Sequence, residues 1–195
     1  MNDLRPIKKP IILAFVGMPG GGKTEAVAYL EKKGIPFVRF GQITDEEVKR
    51  LGLPLTPANE RMVRERIRKE EGMGAYALRA EPNISSLVST HNVVAIDGLY
   101  SWEEYRFLKE RFPGLVLIHI FAEPKIRYER LSKRTIRSLT LEESLMRDLM
   151  ELEKLNKGGP IAIADYLIEN NGDSIEDLYL KIDNLLLRLS VGSSS

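Results

Sequence analysis

The chain has 195 residues, which is long enough for one well-buried domain. Its 43% apolar and 29% charged residues are typical of a folded globular protein and exclude an intrinsically disordered one. The 29 basic and 28 acidic residues leave a net charge of +1, which favours neither a nucleic-acid nor a membrane partner, and the lack of cysteine excludes disulfides and thiol-bound metals.

The first predicted elements are a strand, a glycine-rich loop and a helix. Ile11–Val16 is a continuous apolar run, typical of a strand buried on both faces, and Thr24–Lys33 has a helical pattern that ends at Gly34. The residues between them fit G-x-x-x-x-G-K-[ST], in which loop N–H groups and a helix N-terminus form a phosphate cradle. The alternative is a glycine-rich turn that binds nothing. Such a turn would not need the Lys23-Thr24 pair or the strand and helix on either side of it. We therefore predict a nucleoside triphosphate site whose ligands are Gly17, Gly20, Gly21, Gly22, Lys23 and Thr24.

Further apolar runs alternate with helical stretches, which predicts an α/β fold with a parallel sheet of about five strands and helices on both faces. The predicted strands are Pro36–Phe40, Asn92–Asp97, Leu115–Phe121 and Asp165–Ile168. Helix starts are indicated by prolines at Pro57 and Pro124 and by capping boxes at Thr44–Glu47, Ser101–Glu104 and Thr140–Glu143.

Two stretches interrupt this alternation. Residues 44–89 read as helices without a strand, and residues 133–157 as a basic turn followed by a long helix. Both would lie above the carboxyl ends of the strands, where ligands bind in open α/β sheets. We predict one domain over residues 1–195, with an acceptor-binding insertion at 44–89, a lid at 133–157, a disordered tail at 192–195 and a core formed by 10–43, 90–132 and 158–190.

Phosphoryl transfer needs a metal-binding acid and positive charge around the moving group. Asp97 ends a buried apolar strand, where a carboxylate is costly unless it faces a metal. It could instead cap the next helix, but Ser101 already fills that role. We predict that Thr24 and Asp97 hold Mg²⁺ and that Lys23 takes part in catalysis.

Arginines supply the positive charge. Arg130 and Arg134 are four residues apart on one helical face, and Arg147 follows on the next helix. An ordinary solvated surface is the alternative interpretation of these arginines. For the acceptor, we predict binding by Arg39, Gly41, Arg68 and Arg79, because fixed guanidiniums suit a bidentate grip on phosphate.

The histidines and aromatic residues carry weaker signals. His91 precedes a strand, and His119 reads as a hydrogen-bonded core residue rather than a ligand. Tyr100, Trp102 and Tyr105 could stack on a base, although packing of the helix from Ser101 is the commoner explanation.

Together these residues resemble the nucleoside monophosphate kinase branch of P-loop kinases. Closer still is an archaeal-type family called adenylate-kinase-related or dephospho-CoA-kinase-like. The most specific segments are FVRFG (Phe37–Gly41), R-K-E-x-G-x-G-A (Arg68–Ala75), VVAIDG (Val93–Gly98) and E-R-L-x-x-R (Glu129–Arg134). Arg147-Asp148 and ADYLIENNG (Ala164–Gly172) complete the resemblance. The resemblance implies that Arg130 and Arg134 contact ATP from the lid, that Arg147 contacts the transferring phosphate, and that Asn171 and Gly172 lie near the adenine.

The sequence also departs from adenylate kinases. Gln42 and Asp45 stand where those enzymes have aspartate and arginine, and Asp97-Gly98 is followed by Leu99-Tyr100-Ser101 without their arginine. AMP is therefore a doubtful acceptor.

We predict an ATP- and Mg²⁺-dependent phosphotransferase that acts on a small nucleotide-like phosphate. The alternatives are transfer to a ribose hydroxyl, as in dephospho-CoA kinase, and a regulatory NTPase without a small acceptor. No stretch approaches the roughly 20 apolar residues that span a bilayer, so we expect a cytoplasmic monomer or homodimer.

Overall fold

A computed structural model describes residues 10–135 and 137–191. The predicted tail at 192–195 lies outside these ranges. The strands are β1 (Ile11–Val16), β2 (Phe37–Arg39), β3 (Val93–Asp97), β4 (Leu115–Phe121) and β5 (Tyr166–Glu169). The helices are α1 (Lys23–Lys32), α2 (Phe40–Arg50), α3 (Pro57–Glu71), α4 (Ala75–Thr90), α5 (Trp102–Arg111), α6 (Pro124–Ser132), α7 (Leu141–Leu155), α8 (Gly158–Ala162) and α9 (Ile175–Val191).

All strand pairs are parallel, and the order across the sheet is β2-β3-β1-β4-β5. The predicted α/β fold and five-stranded parallel sheet are confirmed. Strand β1 lies in the centre, between β3 and β4. Its carboxyl end is therefore the point where the strand order reverses, and in open α/β sheets such a crevice binds ligands.

Apolar side chains cover both faces of the sheet. Along β1, Ile12, Ala14 and Val16 join one buried cluster, together with residues of α2 to α5. Leu13 and Phe15 point to the opposite cluster, which includes residues of α1 and α9. Burial on both faces explains why this strand is a continuous apolar run rather than an alternating one.

The capping box predicted at Thr44 is wrong. Helix α2 already begins at Phe40, so Thr44 lies inside it, and its hydroxyl is 2.7 Å from the Tyr76 hydroxyl. The buried side chains of Phe40 and Val48 extend the helix toward β2, and this packing outweighs the local capping pattern. The capping boxes at Ser101 and Thr140 are confirmed.

Within residues 10–135 and 137–191, no helix combines the length and the apolarity needed to cross a membrane.

Candidate nucleotide site

The glycine-rich loop after β1 (residues 17–22), called the phosphate loop below, lies close to β4 and α6. Gly20 has a φ of +79°, and a Cβ at this position would lie 2.6 Å from the carbonyl oxygen of Arg127. Only glycine tolerates both the left-handed backbone and this close approach. The loop then leads directly into α1, whose N-terminus has no side-chain cap and carries the positive end of the helix dipole. This arrangement suits a phosphate group.

Two side chains from distant elements hold the loop in place. Arg127 on α6 donates from Nη1 to the Pro19 carbonyl at 3.0 Å and from Nε to the Ala122 carbonyl at 3.2 Å. Asn170, which follows β5, is buried and donates from Nδ2 to the Gly21 carbonyl at 2.9 Å. The loop is therefore held in shape by side chains that donate to its carbonyl groups, together with a hydrogen bond from the Gly21 N–H to the Met18 carbonyl at 3.2 Å.

Lys23 has a strongly perturbed ammonium group. Its Nζ donates to the Met18 carbonyl at 3.0 Å. Burial, reinforced by the nearby Lys157, lowers the pKa of Lys23 to about 7, against the attraction of Glu151 and Asp97. A polyanion would relieve this electrostatic cost, so the surroundings of Lys23 fit a phosphate chain.

The two predicted metal ligands lie on neighbouring elements. Asp97 ends β3 opposite Phe15 of β1 and is buried, and Thr24 is exposed in the first turn of α1. Burial raises the pKa of Asp97, while Lys23 and Arg39 oppose that rise. Among the described residues, no three His, Asp or Glu side chains form a metal cage. One hydroxyl and one carboxylate are the sparse protein set that Mg²⁺ uses when substrate phosphates and water complete its shell, so these residues fit the ion.

The predicted lid arginines differ in their contacts. Arg130 donates from Nη1 to the Asn170 carbonyl and from Nη2 to the Gly172 carbonyl, both at 2.8 Å, and so holds the loop after β5. Arg147 donates from Nε to Glu151 at 3.3 Å. Burial and then the neighbouring Arg147 lower the pKa of Arg134.

The predicted base-side residues lie in that same loop. The side chain of Asn171 accepts a hydrogen bond from the Glu123 N–H at 2.8 Å, and Gly172 is held through its carbonyl by Arg130. The loop after β5 is thus joined to both the phosphate loop and α6.

The predicted acceptor arginines each have an acidic partner. Arg39 at the end of β2 pairs with Asp45 of α2, and Gly41 packs against the Arg39 guanidinium. Arg68 lies 3.6 Å from Glu104 and over the Tyr76 ring, with its guanidinium carbon 4.7 Å from the ring centroid. Arg79 donates from Nε to Glu71 at 2.9 Å. Arg68 on α3 and Arg79 on α4 therefore have separate partners.

The aromatic residues after β3 serve packing. Trp102 lies against Gly159 of α8 and 5.3 Å from Tyr105, centroid to centroid. His119 is half-buried beside Gly17 and contacts the Phe121 ring edge-on at 6.0 Å.

Sequence reasoning missed the buried ion pairs that surround the loop. Arg127 and Asp148 form a bidentate pair at 3.0 and 2.6 Å, and Lys157 pairs with Glu151. The available signal was the face of α7 that carries Ser144, Asp148 and Glu151, all of which are buried. An acid on an inward helix face requires a buried cation, and nothing local indicates which one.

Comparisons with known proteins agree with this geometry. A sequence model described as an AAA domain matches residues 13–149. A UPF0200 protein from Thermococcus sibiricus is 38% identical over 185 residues, which are 93% of this chain and 96% of that protein. Among solved structures, TT1252 from Thermus thermophilus has a TM-score of 0.65 at 23% identity. The match covers 93% of this chain and 99% of the TT1252 chain. A shikimate kinase from Bacteroides thetaiotaomicron has a TM-score of 0.59 at 15% identity, with coverages of 92% and 98%. At these identities the structures share a P-loop kinase-like fold.

Proposed function

Since the chain belongs to the UPF0200 family, we propose that it is an ATP- and Mg²⁺-dependent phosphotransferase of the nucleoside monophosphate kinase type. The single observation that carries the proposal is the phosphate loop, held by Arg127 and Asn170, with Lys23 beside it. Burial lowers the pKa of that lysine to about 7. The kinase-like fold of the solved neighbours supports transfer to a small molecule.

The residues of the site have separate roles in the proposed phosphoryl transfer. Loop N–H groups and Lys23 bind the β- and γ-phosphates, and Thr24 and Asp97 would hold Mg²⁺, which would neutralise charge on the phosphate oxygens. Arg134 and Arg147 stabilise the transferring phosphoryl group from the side of α7 and exclude water. Arg130 keeps the loop at Asn171 and Gly172 in place for the base.

The favoured acceptor is a small nucleotide-like phosphate. Arg39, Arg68 and Arg79 supply the guanidiniums, and the acceptor phosphate would displace the partly exposed carboxylate partners of Arg39 and Arg79. A phosphate oxygen is already anionic, so this reaction needs charge neutralisation rather than a general base.

One observation favours a second candidate, transfer to a hydroxyl group. The Arg39–Asp45 ion pair brings a carboxylate back to the end of β2, where a general base would be needed. Replacing Asp45 with asparagine separates the candidates. Loss of a base lowers kcat by about 10² to 10⁴, whereas a phosphate acceptor is bound equally well or better once Arg39 is released.

The test is a panel of nucleoside monophosphates and dephospho-CoA incubated with labelled ATP and magnesium. Transfer to one of them, lost in Lys23→Met and retained in the exposed-lysine control Lys32→Met, is the expected result. Full transfer by Lys23→Met would refute the mechanism. Slow hydrolysis without transfer to any compound would favour a regulatory NTPase.

A further inference from the structure

A second buried lysine lies close enough to Lys23 to lower its pKa. Lys157, between α7 and α8, is 1% exposed and has its ammonium 4.8 Å from the centroid of the Tyr100 ring. It donates to Glu151 of α7, which also accepts from Arg147. Tyr100 follows β3, so the ammonium lies at the carboxyl edge of the sheet, on the same side as Lys23 and Asp97.

Positive charge exceeds negative charge in this cluster. Lys23, Arg147 and Lys157 lie near two acids, of which Glu151 interacts with all three cations and Asp97 with the two lysines. Asp148, which also attracts Lys157, is already paired with Arg127. If Asp97 faces Mg²⁺, Glu151 is the acid that remains to oppose these three cations, apart from the Asp148 that Arg127 already pairs. Buried like charges of this kind are costly unless an anion joins them.

A purely structural role explains Lys157 less well. A buried Lys–Glu pair is seldom more stabilising than two apolar side chains of similar size. The lysine ammonium is also a point charge on a flexible stem, able to move from one anion to another. Its partner Glu151 keeps a second cationic neighbour in Arg147 when Lys157 leaves.

We propose that Lys157 is a second phosphate-binding lysine, which exchanges Glu151 for the terminal phosphate of a bound nucleoside triphosphate. This inference rests on the proposed function and adds a specificity residue to the same site. It assigns to Lys157 the recognition of triphosphate over diphosphate, while Lys23 and the loop bind the phosphates that both nucleotides share.

The test measures two affinities of the full-length protein by calorimetry: for magnesium ADP and for the magnesium complex of the β,γ-imido analogue of ATP. The double variant Lys157→Met/Glu151→Gln leaves the net charge of the cluster unchanged. In this variant the preference for the triphosphate should fall by about tenfold, with ADP affinity unchanged. The control Lys154→Met, exposed on α7, should keep the wild-type preference.

The single variant Glu151→Gln provides a test of opposite sign, which stands even if the double variant does not fold. It releases Lys157, so the preference for the triphosphate should rise several-fold. An unchanged preference in either variant, or an equal loss of both nucleotides, would overturn the inference while leaving the proposed function intact. A wild-type chain that binds neither nucleotide would instead overturn the proposed function.

Discussion

Arg127→Met tests whether the phosphate loop depends on one buried guanidinium. The Arg127 side chain is 6% exposed and makes a bidentate pair with Asp148, whose side chain is 12% exposed. It also donates to the carbonyls of Pro19 and Ala122. Removing it leaves a buried carboxylate without its cation and a loop carbonyl without its donor.

The expected cost follows from these contacts. Breaking a buried ion pair from one side costs about 3–5 kcal/mol. Tyr128 still donates to Asp148 at 2.9 Å, which places the loss near the lower end of that range. Asp148→Asn should cost less, because it leaves a neutral acceptor facing Arg127. The double variant should lose less stability than the two single losses added together, because the surviving partner is no longer an unpaired charge.

Urea unfolding at neutral pH measures these free energies, and calorimetry with magnesium ADP measures the state of the loop. The control is Arg61→Met, whose exposed pair with Glu65 at 2.8 Å has side-chain exposures of 65% and 62% and should contribute less than about 1 kcal/mol. Nucleotide affinity should fall about tenfold in Arg127→Met and stay constant in the control. Equal losses of stability in Arg127→Met and Arg61→Met would refute the reasoning.

Further tests concern the loop and its buried charges. Gly20→Ala places a Cβ 2.6 Å from the Arg127 carbonyl and should abolish nucleotide binding in a titration, whereas Gly34→Ala, at a φ of +81° in open space, should cost only about 1–2 kcal/mol of stability. Burial lowers the pKa of Lys23 to about 7, and bound triphosphate should raise it. Calorimetry in two buffers should therefore show nearly one proton taken up at pH 8 and almost none at pH 6; equal uptake would contradict this. Burial, opposed by Arg68, raises the pKa of Glu104 from 4.5 to about 7. The stability from its protonation is therefore fully present below pH 4.5 and is lost as pH rises through 7, by up to about 3 kcal/mol. Urea unfolding of Glu104→Gln across that range should show a flatter slope, and an unchanged slope would exclude this assignment.

The parts of the fold that could be predicted are those with local causes. Strand β1 is buried on both faces, so its apolar run stands out, and the glycines of the loop are required by backbone geometry. The capping boxes at Ser101 and Thr140 are satisfied within three residues. The pattern at Thr44 looks the same in sequence, but the packing of Phe40 and Tyr76 around it comes from elements that no local rule describes.

The candidate site could be predicted only in part for the same reason. Its motif lies on one segment, whereas the contacts that fix it join Asn170 to Gly21 and Arg127 to Pro19, residues that are 149 and 108 positions apart. The sequence shows that each arginine is a positive charge, but it does not show whether that arginine has an acidic partner. Arg130 illustrates this, since the residue expected to face the phosphates donates to two carbonyls of the loop after β5.

These contacts make α7 part of the phosphate site. Asp148 joins the helix to the loop through Arg127, and Glu151 joins it to the cations around Lys23 through Lys157. The two acids are three positions apart on one buried face, so the helix cannot rotate or withdraw without exposing both carboxylates or leaving their cations unpaired. An anion that binds at Lys23 competes directly with Glu151 for the surrounding cations. Occupation of the loop and the placement of α7 are therefore electrostatically coupled, through a helix that the sequence marks only as a capped amphipathic segment.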